Sequence, residues 1–115
     1  MIRRIEPGTR MSQAVIANGF VFLAGQVADD TSVGVREQTQ QVLASIDRLL
    51  AAAGSDKSRI VSANVYLSDI STFAEMNSGW DAWVTPDAAP ARATVEAKLA
   101  APVYKVEIQV VAVAG

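Results

Sequence analysis

The chain has 115 residues, half of them hydrophobic and 19% charged, with ten basic and twelve acidic residues for a formal net charge of −2. That length allows one hydrophobic core and one domain spanning 1–115, and the scattered charge lacks the clustered positive footprint of a nucleic-acid binder. With neither Cys nor His, disulfides, thiolate or imidazole metal sites, Cys nucleophiles and Ser-His-Asp triads are excluded, so chemistry must run on carboxylates, Arg, Lys, Tyr, hydroxyls, backbone or water.

The opening "MIRRIEPGTRMSQ" carries an early basic pair, but Glu6, Pro7 and Gly8 interrupt it before an apolar signal region forms. No apolar run approaches the roughly 20 residues that span a bilayer, and no membrane partner is expected. A cysteine-free chain of this kind is expected in the cytoplasm. Ile2 to Ile5 reads as a short strand. "QAVIANGFVFLAGQ" reads as two more, Ala14 to Ala17 and Phe20 to Ala24, joined by Asn18-Gly19, the dipeptide best suited to a tight hairpin. Phe20 to Ala24 is apolar at every position, which predicts a strand covered on both faces.

From Val35 to Ala53 the apolar positions Val42, Ile46, Leu49, Leu50 and Ala53 recur at intervals of three and four, predicting an amphipathic helix that Gly54 ends. Ile60 to Leu67 alternates, with Val61, Ala63, Val65 and Leu67 on one side and Ser62, Asn64 and Tyr66 on the other. A second helix is expected from Thr72 to about Val84, with Ser71 as its N-cap candidate and Phe73, Met76, Trp80 and Trp83 at helical spacing. After the loop "TPDAAPAR" come the last strands, Ala93 to Ala97 and Lys105 to Val113, the final one placing Val106, Ile108, Val110 and Ala112 on one face.

This order predicts an α+β domain, a mixed sheet of five to six strands with both helices packed on one face. Two helices cover one side of such a sheet, yet the far side reads as uncharged and apolar, and a domain this small has a large surface for its volume. Packing the far faces between copies in a closed ring is the simplest remedy.

In "PARATVEAKL" the alternation puts Arg92, Thr94 and Glu96 on one side of a strand, with Ala93 and Val95 expected to face the core. If Glu107 takes the matching side of the last strand, a guanidinium and a carboxylate meet at a subunit junction. Arg92 is suited to hold a substrate carboxylate by two parallel hydrogen bonds, and Glu107 to take a proton from an attacking water. An ordinary cross-strand ion pair is the competing reading. Glu96, Lys98 and Lys105 read as solvated charges, and Trp80 and Trp83 as packing residues.

Four blocks, "NGFVFLAGQ", "AEMNSGWDAW", "PARATVEAKL" and "YKVEIQVVAV", together resemble the RidA/YjgF family of reactive-imine deaminases over nearly the whole chain. The resemblance implies a chorismate-mutase-like fold, a homotrimer with inter-subunit clefts, and hydrolysis of 2-imino or enamine acids of the 2-aminoacrylate type without metal or cofactor. By position, Arg92 matches the family's carboxylate-binding arginine and Glu107 the glutamate of the hydrolytic water, while Gly25 falls in the glycine loop beside the cleft and Asn77 matches a structural asparagine. Met11, Ala24 and Thr94 stand where the family carries Tyr, Ser and often Cys, and are expected to contact the substrate. Met11 in that role implies a preference for larger apolar side chains. The alternative from another class is a non-catalytic trimeric binder of small carboxylate metabolites or of a regulatory protein. Endoribonuclease activity, also attached to the family, is the weakest reading for an acidic chain without His.

Overall fold

A computed structural model describes all of residues 1–115. The chain forms β1 (Ile2–Pro7), β2 (Ser12–Ala17), β3 (Phe20–Leu23), α1 (Val35–Ala52), β4 (Ile60–Leu67), α2 (Phe73–Asp81), β5 (Ala91–Glu96) and β6 (Val106–Val113). Its extents of 41 × 37 × 20 Å leave room for two layers, one sheet and one row of helices. The six strands run β1-β2-β3-β6-β4-β5. Every pairing is antiparallel except β4 with β5, which α2 connects as a crossover.

Asn18 (φ 55°) and Gly19 (φ 83°) both sit in the left-handed region, as a two-residue hairpin between β2 and β3 requires. α1 buries Val42, Leu43, Ile46, Leu49 and Leu50 against the sheet, each worth about 1.5–3 kcal/mol. Gly54 (φ 78°) follows its last turn. From the sheet, Val21, Leu23, Ala63, Val65, Leu67 and the row Val106, Ile108, Val110 and Ala112 complete the core.

Four local expectations are corrected. Val61 does not join the core row, because the β4–β6 register slips between Ile60 and Ser62; Ile60 is buried instead and Val61 stands 44% exposed. α2 is shorter than its periodicity suggested, because it ends at Asp81 with Ala82 as C-cap instead of running to about Val84; a 3-10 turn, Ile70–Thr72, precedes it. Asp69, not Ser71, caps that turn, accepting from the Ser71 amide at 2.9 Å and the Ser71 hydroxyl at 2.7 Å. Finally, Phe20 and Phe22 are not covered on both faces of β3 within the protomer; they project from the helix-free side, 40% and 45% exposed, while Val21 and Leu23 are buried.

Buried Gln38 ties the loops together. Its amide nitrogen donates to the carbonyls of Val103 (3.1 Å), Val33 (3.3 Å) and Thr31 (3.4 Å), and its oxygen accepts from the Lys105 amide at 3.0 Å. The segment between β5 and β6 is thereby fixed to α1.

Candidate functional site

Arg92 is on the opposite side of β5 from the one its sequence neighbours suggested. The register Ala63↔Arg92 and Val65↔Thr94 places Arg92 and Thr94 on the helix-bearing face, and Ala93 and Val95 on the bare one. Val95 is 49% exposed and faces no core. The physical reason is α2, whose aromatic side chains offer the edge strand a platform: the Arg92 guanidinium lies 5.0 Å from the ring centre of Trp80 and 5.7 Å from that of Phe73.

Although partly buried, Arg92 has no carboxylate within ion-pair distance; the ion pairs of the chain are Arg48–Glu6 and Arg59–Asp56. Burial draws its pKa below the ordinary value, with Asp81 pulling weakly the other way. A guanidinium remains charged regardless, so the effect is an under-solvated cation with its hydrogen-bonding fork unspent. Beside it on the same face, the buried Thr94 hydroxyl also lacks a partner. The two groups together leave unspent hydrogen-bonding capacity beside a positive charge, chemistry that suits an anion.

Glu107 lies on the other face, paired across the sheet with Tyr66. It does not meet Arg92 within one protomer, so neither the catalytic pair nor the competing cross-strand ion pair forms there. Its carboxylate packs against Gly25, where a Cβ would fall 2.8 Å from the Glu107 Cδ and closer still to Oε2. Gly25 is therefore a close-approach glycine, which accounts for its place in the loop. The loop is pinned by reciprocal backbone bonds between Gln26 and Ile108 (2.9 and 3.1 Å). The Gln26 amide also donates to Gln13 Oε1 at 2.9 Å and to the Ala24 carbonyl at 3.1 Å.

Gly25 and Glu107 line one cleft of about 350 Å³ with Tyr66, Lys98, Leu99 and Gln109, among others. Ala24 is adjacent, its amide bonded to Gln13 O at 2.9 Å. Met11, half-exposed just before β2, does not line this cleft. The structure thus assembles two half-sites: Arg92 with Thr94, Trp80 and Phe73 on one face, and Gly25 with Glu107 on the other. Tyr66, Gln109 and the Trp80–Phe73 platform escaped the sequence reading. The seven-residue spacing of Phe73 and Trp80 was the available signal for the platform, because it stacks them on one side of a helix.

A six-stranded mixed sheet bearing two helices on one face, with a glycine-loop cleft on the other, defines a domain of the YjgF/Rid type. Residues 1–114 match the family described as Endoribonuclease L-PSP, and the chain belongs to it. A RutC family protein of Haemophilus ducreyi is 50% identical over 97% of this chain and 96% of its own. A crystal structure of a YjgF family member from Neisseria meningitidis superposes with a TM-score of 0.97 at 49% identity, covering 100% of this chain and 96% of that one. A Rid-family protein of unknown function from Yersinia pestis, covering 98% and 99%, gives 0.91 at 30% identity. No helix of the chain is long and apolar enough to cross a membrane.

Proposed function

We propose that the protein hydrolyses reactive 2-imino or enamine acids of the 2-aminoacrylate type to 2-oxo acids and ammonia, in an assembly that brings Arg92 of one protomer to Glu107 of its neighbour. The observation that carries this reading is the unpaired Arg92 fork, laid on Trp80 and Phe73 beside an unsatisfied Thr94 hydroxyl. Such a group matches a carboxylate bidentately. The helix-free face, with Phe20, Phe22 and Val95 exposed, supports burial between copies in a closed trimer. Cytoplasmic residence is part of the proposal, because reactive imines arise where amino acids are metabolised.

Arg92 holds the substrate carboxylate and so fixes the imine carbon. Glu107, set by contact with Gly25, accepts a proton from a water as the water oxygen bonds to that carbon. The nitrogen takes that proton back from Glu107, the C–N bond of the resulting carbinolamine breaks, and ammonia leaves as the hydroxyl proton passes to the Glu107 carboxylate and the 2-oxo acid forms. An imine carbon is already electrophilic, so orientation and one proton acceptor supply the needed several kcal/mol. The chain's own residues account for each step, without a metal or cofactor. Ribonuclease chemistry, which the family description carries, would lack an imidazole and meet a single cation, Lys98, in the cleft lining.

The test generates imino acids with an amino acid oxidase and follows their decay. Arg92→Ala and Glu107→Gln are each expected to lower kcat/KM by about 10²-fold or more; a parent-like rate in both rejects the reading. The second reading, a trimeric binder of small carboxylates or of a regulatory protein without turnover, is favoured by the separation of Arg92 and Glu107 onto opposite faces. Calorimetric binding of 2-oxo acids with no effect on imine decay would select it. Sedimentation giving monomers would remove both.

A further inference from the structure

The Glu107 cleft contains a second charge that hydrolysis does not use. The chain has three lysines. Two are engaged with backbone carbonyls, Lys57 Nζ with Trp83 O at 2.6 Å and Lys105 Nζ with Val33 O at 3.3 Å. Lys98 has no such partner and no ion pair, and it lines the cleft together with Glu107, Tyr66 and Gln109. Its backbone is well anchored. Ala97 N donates to Leu67 O at 2.9 Å, Glu96 accepts from the Ile70 amide at 3.0 Å, and Gln38 holds the far end of the same loop at Val103 and Lys105.

An ammonium and a carboxylate that share one cleft without pairing suit a ligand that is itself dipolar. Glu107 faces the imine nitrogen and its water. Arg92, on the other face of the sheet, serves the α-carboxylate from an adjoining copy. The anion left for Lys98 is then on the substrate's side chain. A cleft of about 350 Å³ accommodates a compact metabolite of roughly ten non-hydrogen atoms.

We infer that Lys98, aided by Gln109, is a specificity residue that selects imines bearing a second, distal carboxylate, those of acidic amino acids, over small or apolar ones. The inference rests on the deaminase reading and runs against the apolar preference that Met11 suggested. Within one protomer Met11 lies outside the lining of this cleft.

The test compares kcat/KM for the imine of glutamate with that of 2-aminobutyrate, both formed in situ by an amino acid oxidase. Lys98 is solvent-exposed, so the attraction is partly screened. Lys98→Ala is expected to lower the glutamate-to-aminobutyrate ratio about three- to tenfold, Lys98→Glu to lower it further, and Lys98→Arg to retain it. Raising the salt concentration should compress the parent's ratio toward that of Lys98→Ala. Calorimetry gives a readout without turnover: 2-oxoglutarate should lose affinity in Lys98→Glu while 2-oxobutyrate changes less. A ratio unchanged within twofold across the variants overturns the inference, as does an equal fall for both substrates, which would put Lys98 on the α-carboxylate. If Arg92→Ala and Glu107→Gln slow both imines while the Lys98 variants leave the ratio unchanged, the specificity role alone fails. If those variants leave both decays unchanged, the deaminase reading fails first.

Discussion

Gly25→Ala separates the fold from the site more cleanly than any other single change. The three atoms its methyl group would meet are Oε2, Cδ and Cγ of Glu107, the last at 3.1 Å. All belong to a flexible side chain, and Gly25 has no positive φ that alanine would resist. Restoring an ordinary contact near 3.5 Å moves the carboxylate by roughly 1 Å. An off-rotamer Glu107 costs about 0.5–1.5 kcal/mol. Loss of glycine's freedom in the unfolded chain returns about 0.4–1 kcal/mol. The net change in stability stays within about 1 kcal/mol, or about 4 °C in Tm for a domain of this size. Catalysis is far less forgiving, since a 1 Å misplacement costs on the order of 10²-fold. Thermal melts and imine decay measured on the same preparation check both halves. Full activity at an unchanged Tm would refute the role given to the Glu107 position, and a loss above roughly 3 kcal/mol would show that Gly25 is needed for folding instead.

Other outcomes follow from the same geometry. Gln38→Leu strands the Thr31 and Val103 carbonyls and the Lys105 amide and leaves Val33 O to Lys105 Nζ alone; urea denaturation should register a loss of about 2–4 kcal/mol, with faster amide exchange at Lys105, and a loss below about 1 kcal/mol would contradict the tethering role. Asp30, Asp56 and Asp69 each accept from the amide and hydroxyl of the serine two residues on, and these bonds hold all three carboxyls below the ordinary aspartate value. Because the folded pKa lies below the unfolded one, their contribution is present above about pH 3.9 and is lost as pH falls through the folded value. Carboxyl-carbon NMR titration should find three midpoints below 3.8, and ordinary midpoints would dismiss these turns as weak.

What could be read from the residues depended on how local the determining physics is. The Asn18–Gly19 turn, α1 and the buried row of β6 were legible because backbone conformation and periodicity reside in neighbouring residues. Val61 was misplaced because a bulge changes the parity of a strand without altering its composition. The Arg92 error has a different origin. Alternation separates the two sides of β5 but does not say which one faces the core, and on a sheet with an apolar bare face the usual guide, apolar means inward, points the wrong way. The platform of Trp80 and Phe73 under Arg92 depends on how α2 crosses the sheet edge. Lys98 and Tyr66 converge through a loop and a strand 32 positions apart in the sequence, a meeting that no spacing rule encodes.

The strand order carries a consequence for how the molecule forms. β6 comes last in the chain yet sits between β3 and β4, so the β1-β2-β3 meander and the β4–β5 pair have no hydrogen-bonded ladder in common until it inserts. Closure of this sheet brings together partners as distant as Phe20 and Val113, which makes it the slow, entropically costly event of folding. Before that insertion two unpaired strand edges stand open. A folding chain that stalls there is a candidate for domain exchange between copies, and slow-cooled, concentrated refolding is where swapped oligomers should accumulate.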